Sequence, residues 1–202
     1  MRVLHISRSL RGVGIFAGVM HNDRRLTNPV PLWFERSFDF SFPLDLHPNL
    51  CVRLRGTPAR LEEIVRGQSP ERLRKKPTQK WSAQEHAGHL ADLEPLWTAR
   101  VGDYEAASSV LTVADLSNRK TDEANHNARP MEQILADFRR GRAELVRRAE
   151  EADPSLFART ILHPRLKKPM RLVDHLYFVA EHDDHHLALI WRLLQEATPK
   201  AI

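Results

Sequence analysis

Apolar residues in the last part of the chain recur at helical spacing. Over "MRLVDHLYFVAEHDDHHLALIWRLLQEA", residues 170–197, Leu172, Leu176, Val179, Ile190 and Leu194 fall on one side when each residue turns about 100°. The same pattern marks "RPMEQILADFRRGRAELVRRAEEA", where Ile134, Leu135, Phe138 and Leu145 share a face. It also marks "WSAQEHAGHLADLEPLWTARVGDYEAA", with Leu93, Leu96, Trp97 and Tyr104 inward. That segment opens on Ser82 with Glu85 three residues later, a capping box. Pro95 falls on its opposite, wet side, where a kink is tolerated. From Pro48 helical signals take over, and in "TPARLEEIV" Thr57 reads as an N-cap with Pro58 at the first helical position. Ser69 and Pro70 repeat the device in a short turn. Four helical segments in one unit predict an all-α four-helix bundle.

The rest of the pattern is less regular. Residues 21–45 are rich in proline and aromatics and read as an extended segment laid over a core. Residues 110–129 are a polar connection. Residues 153–169 hold a partly β-branched apolar run, Phe157–Leu162, so a short strand or hairpin is expected before the last helix. The N-terminal run Val13–Met20 looks superficially like a signal peptide. It is short, contains glycine and lacks a cleavage pattern, so a partly disordered extension is expected over residues 1–37. Met20 offers an alternative start. A bundle over 38–197 and a tail over 198–202 complete the expected domain organisation.

Composition narrows the function. The net charge is +5, with basic residues scattered rather than clustered and only two tyrosines, which argues against nucleic-acid binding. No apolar run approaches the ~20 residues of a membrane span. The single cysteine, Cys51, excludes an internal disulfide, reads as a small buried apolar residue, and fits a reducing, cytoplasmic setting. There is no phosphate-cradling glycine loop and no evident Ser-His-Asp set.

The chemistry sits in the histidines. In the last helix His182 and His186 are one turn apart and flank the apolar stripe that Leu172, Val179 and Ile190 define. His175 shares that side. His185 and Asp184 point outward. Asp183 lands inside the stripe, an uncomfortable place for an unpaired carboxylate. In the second helix His86, His89 and Arg100 all face inward. Two histidines at i and i+4 can reach one ion, and a third from a facing helix leaves a position open for water or substrate, as in catalytic zinc sites. Periodicity does not choose between His86 and His89.

The segments "GTPARLEEIVRGQSPERLRKKPTQKWSAQEHAGHLADLE" and "PMRLVDHLYFVAEHDDHHLALI" resemble the DinB-like (YfiT-type) metalloprotein superfamily, in the same order and over about residues 38–197. The Trp81-Ser82 start, the following His-Leu step and the late H-x-x-x-H carry the resemblance; residues 1–20 have no counterpart. It implies a four-helix bundle holding a divalent metal on three histidines. These would be the one eight residues after the tryptophan, here His89, and the late pair, His182 and His186. His86 then reads as a packing or supporting residue. Asp183, His175 and Arg100 are candidates for positioning, with Asp183 accepting from a group such as Arg100, while His126 and Asn127 could reach the mouth of the site. Members are described as metal-dependent hydrolases or as thiol S-transferases using low-molecular-weight thiols. The expectations are therefore a zinc ion, nickel next, activating water or a thiol against a small-molecule substrate, with a homodimer as a family habit. The alternative is a metal-stabilised bundle without catalysis, a binding or dimerisation module.

Overall fold

The computed structural model describes residues 30–77 and 80–196. Its frame is four long helices: α1 (His47–Val65), α3 (Ala83–Glu105), α5 (Met131–Glu151) and α6 (Leu172–Glu196). Two short helices, α2 (Pro70–Arg74) and α4 (Arg119–Glu123), lie in the connections, and an antiparallel hairpin, β1 (Thr160–His163) with β2 (Lys168–Arg171), precedes α6. The packing pairs are α3 with α5, α5 with α1, α1 with α6, and α6 with α3. The four rods therefore form a closed ring in which α1 and α3 lie diagonally, as do α5 and α6. Among the described residues no helix is long and apolar enough to cross a membrane.

Local signals explain most boundaries. Ser82 and Glu85 form the reciprocal capping box of α3, and Ser69 accepts from the Arg72 amide to cap α2. The hairpin is present, but its second strand takes Met170 and Arg171, which the periodicity assigned to the last helix. The Tyr104 hydroxyl, at the end of α3, donates to the carbonyls of both residues and holds the strand there. Asp174 then accepts from the Arg171 amide at the start of α6.

The first helix differs more from expectation. It begins ten residues before Thr57, so Thr57 and Pro58 lie in its interior and cap nothing. Proline there removes an amide and orphans the carbonyl four residues back, Leu54. That carbonyl accepts from Arg142 Nη1 at 3.2 Å, and the helix continues through the proline.

Arg142 has a larger role. Its guanidinium is buried and grips Glu94 of α3 through both carboxylate oxygens, at 2.7 and 3.1 Å. It also grips both oxygens of Asp183 on α6, and Thr57 Oγ1 donates to the same Asp183 at 3.0 Å. One side chain of α5 thus touches all four long helices. Gly141 makes room for Glu94, since a Cβ there would stand 2.6 Å from Glu94 Cβ. This polar layer separates two apolar clusters. One holds Leu54, Trp97, Leu145 and Leu176; the other holds Leu61, Leu90, Phe138 and Ile190.

Residues 30–46 run over the bundle as an extended strap with short 3-10 turns at Trp33–Glu35 and Leu44–Leu46. Arg36 of the strap pairs with Glu181 of α6, which also pairs with Arg53 of α1, and Arg171 of β2 donates to the carbonyls of Phe40 and Phe42, so the strap is fastened to both α6 and the hairpin. The expected disordered extension falls mostly on residues 1–29 and the tail on 198–202, outside the described residues.

Candidate metal centre

His89 on α3 and His182 and His186 on α6 are buried, and one ring nitrogen from each lies within 4.8 Å of the other two. The Nε2 atoms of His182 and His186 are 3.2 Å apart. Two ligands on a tetrahedral ion at 2.0–2.1 Å would stand roughly 3.3 Å apart, so this pair already has the separation of a ligand edge. Among the described residues no further His, Cys, Asp or Glu joins the group.

The second nitrogens of two rings are fixed. His89 Nδ1 lies 3.0 Å from Thr121 Oγ1, and that hydroxyl donates to Asp92 Oδ2 at 3.0 Å. With its hydrogen committed to the carboxylate, Thr121 can only accept from His89. The proton therefore sits on Nδ1, and the Nε2 lone pair is free. Asp92 also accepts from His126 Nε2 at 2.8 Å. Burial alone would raise the Asp92 carboxyl, but the bonds from His126 and Thr121 more than offset it and hold it below the usual carboxylate range. His126 can approach because residue 88 is glycine: a Cβ there would stand 2.2 Å from His126 Cγ. His186 Nδ1 meets His86 Nδ1 at 2.9 Å, which leaves His186 Nε2 facing the cluster. The third ring, His182, has a buried Nδ1 without a hydrogen-bond partner.

Desolvation makes these imidazoles neutral. Burial drives His182 and His186 well below the ordinary value, and it lowers His86 to about 3 and His89 to about 4. Neutral imidazole is the form that ligates, and three such nitrogens suit zinc, nickel, iron or copper. The donor set therefore fits a divalent transition ion.

The cluster opens into a cavity of about 610 Å³. Its walls include Trp33, Trp81, Leu93, Leu96, Trp97 and Phe178. Trp33 belongs to the strap, and its ring packs 5.0 Å from that of His182. The strap also changes the fate of His185. Instead of facing open solvent, His185 is half-buried in the cavity wall with its ring 5.7 Å from Trp33.

Other residues singled out by sequence are placed differently. Asp183 is committed to Arg142 and Thr57, not to Arg100. His175 is fully buried against the Trp97 carbonyl and Tyr104, and does not line the cavity. His126 lies behind His89, reaching it only through Asp92 and Thr121, and Asn127 accepts from Ser82 Oγ. Neither is at the mouth. Arg100 does line the cavity, donating to the Thr112 carbonyl and facing His163 Nε2 at 3.3 Å. Sequence reading missed Thr121, Asp92, Trp33, His163 and Arg165. Thr121 lies in a connection and carries no periodic signal, whereas Asp92 follows His89 by three residues on α3. Arg142, also missed, did carry one, because it follows Ile134 and Phe138 at four-residue steps along an apolar face.

No curated protein matches the chain. Among solved structures, YfiT from Bacillus subtilis, described as a probable metal-dependent hydrolase with an unusual four-helix bundle topology, aligns with a TM-score of 0.71 at 18% identity, covering 80% of this chain and 93% of that one. At that identity the likeness shows the shared fold. The sequence model of the DinB superfamily matches residues 53–190, which span all three clustered histidines, and the chain belongs to that superfamily.

Proposed function

We propose that the protein is a metal-dependent hydrolase of small molecules, with His89, His182 and His186 holding a divalent ion, zinc first and nickel next. The observation that carries this reading is the convergence of three neutral imidazoles, with no fourth protein donor among the described residues, beside a cavity of substrate size. Structural zinc sites are closed by four protein ligands, whereas catalytic ones keep a position open. The description of YfiT as a probable metal-dependent hydrolase supports the same reading. A bound ion supplies Lewis acidity that makes water nucleophilic near neutral pH.

The chain's own residues do the rest. Thr121 and Asp92 hold the His89 proton on Nδ1, and His86 occupies the outer nitrogen of His186. Trp33, Trp97 and Phe178 exclude bulk water and bind the apolar part of a substrate. The free, buried Cys51 is raised to about 11 by burial, so it supplies no thiolate of its own. If the nucleophile is a thiol instead of water, it comes from a second small molecule.

Elemental analysis of gently purified protein tests the reading. About one divalent ion per chain is expected, lost on His182→Ala or His186→Ala. Metal content unchanged by both replacements sinks it. A screen of esters and amides, with thiol-conjugating electrophiles in parallel, then separates hydrolysis from thiol transfer; a metal-bearing protein silent in both favours a metal-stabilised bundle without catalysis.

A further inference from the structure

Two buried arginines in this molecule are treated in opposite ways. Arg142, 1% exposed, faces two carboxylates. Arg100, equally buried, bonds to none: its acceptor is the Thr112 carbonyl, and the His163 Nε2 that it faces carries that neutral ring's hydrogen, because His163 Nδ1 accepts from the Leu166 amide. Arg165 stands beside it in the cavity wall, at the turn between β1 and β2. Its guanidinium lies over the rings of Trp33, Phe34 and Phe178 at 5.3–5.8 Å, and its Nη2 is buried with no acceptor. A desolvated cation without a paired counter-charge is costly, and stacking recovers only part of that cost. Desolvation accordingly lowers Arg165, and it lowers Arg100 to about 10 against the opposing pull of Asp103, whose carboxylate is engaged by the Thr112 amide and makes no bond to the guanidinium. The acids in the same wall do not answer them. Asp115 is committed to its own turn, accepting from Ser117 and the Arg119 amide, and Glu35 is exposed.

We infer that Arg100 and Arg165 form an anion subsite, so that the substrate is a small organic anion with an apolar body. The inference deepens the hydrolase reading and rests on it for the reacting end. Each guanidinium is one aromatic ring away from His182. Arg165 stacks on Trp33 and Arg100 on Trp97, and both rings pack against the His182 imidazole at 5.0 and 5.5 Å. A carboxylate held by the guanidinium forks would place a scissile bond, about one ring's length along the molecule, beside the three histidines. The hairpin then has a purpose: it carries His163 and Arg165 into the cavity wall next to Arg100.

The test uses two matched probes that coordinate metals poorly, 3-phenylpropane-1-sulfonate and the uncharged methyl 3-phenylpropyl sulfone, with calorimetric titration of the full chain as purified and its metal content measured alongside. The sulfonate should bind about tenfold or more tighter than the sulfone, and added salt should narrow the gap. Arg165→Gln, at a half-exposed position, should fold normally and bring the two affinities to within about threefold. Arg100→Gln should do the same where its thermal transition shows a folded protein. Equal binding of both probes by metal-bearing wild type, or an undiminished preference in Arg165→Gln, overturns the subsite and leaves the hydrolase reading standing. A metal-free preparation that still prefers the sulfonate keeps the subsite and overturns the hydrolase reading.

Discussion

At the scale of single residues, the centre depends on who holds the far side of each imidazole. His89 is fixed by a hydroxyl whose hydrogen is already committed to Asp92, so the orientation of one proton is decided two residues away from the cluster. Thr121→Val keeps the shape and removes the acceptor. The freed Nδ1–H then has no partner in a buried place, and both the tautomer and the ring angle loosen. Metal affinity should fall about 10- to 100-fold, the usual cost of losing such a partner, read by competition with a chromogenic chelator. Unchanged affinity would mean that the chain Asp92–Thr121–His89 does not tune the site. The three histidines themselves were legible in sequence because helical spacing and a shared motif both mark them. Thr121 was not, since a residue in a connection touches the site only through tertiary folding and leaves no periodicity behind.

At the scale of elements, the bundle is organised around a charge as much as around apolar stripes. The capping box, the short Ser69 cap and the long amphipathic helices could all be read directly, because each is a local agreement between residue type and backbone. The start of α1 was legible at Pro48, but the second opening expected at Thr57 is not one. Thr57-Pro58 is a good helix opening by every local rule, and only a guanidinium from another helix makes it a helix interior. The discomfort of Asp183 was visible in the sequence, but its remedy lay on α5. Arg142→Met tests this assignment. It leaves Glu94 and Asp183 buried without their cation and the Leu54 carbonyl without a donor, at a cost of about 3–5 kcal/mol. Urea denaturation should show that loss as a lower midpoint with a similar slope. A midpoint within error of wild type would show the layer to be dispensable.

At the scale of the whole molecule, burial of neutral histidines ties stability to pH, and two of them lie away from the proposed ligands. His175 is fully buried, donating from Nε2 to the Trp97 carbonyl and facing Tyr104, Arg100 and His163. His163 is buried between Arg100 and Arg165, its Nδ1 accepting from the Leu166 amide. Desolvation first, and the neighbouring arginines second, lower both to about 3 from an ordinary value of 6.5. Above that ordinary value both rings are neutral whether the chain is folded or not, and the full stability is present. Below it the unfolded chain takes up protons that the folded chain refuses. Stability therefore falls with falling pH, by about 1.4 kcal/mol per unit for each ring, and continues to fall until the folded value near 3 is reached. His175→Gln retains a donor for the Trp97 carbonyl but cannot titrate, so it should remove about one ring's share of that slope between roughly pH 6.5 and pH 4.5. Urea midpoints for wild type and variant across that window measure the difference. Parallel curves would show that the imidazole of His175 accepts a proton inside the folded core, and that burial there does not exclude charge.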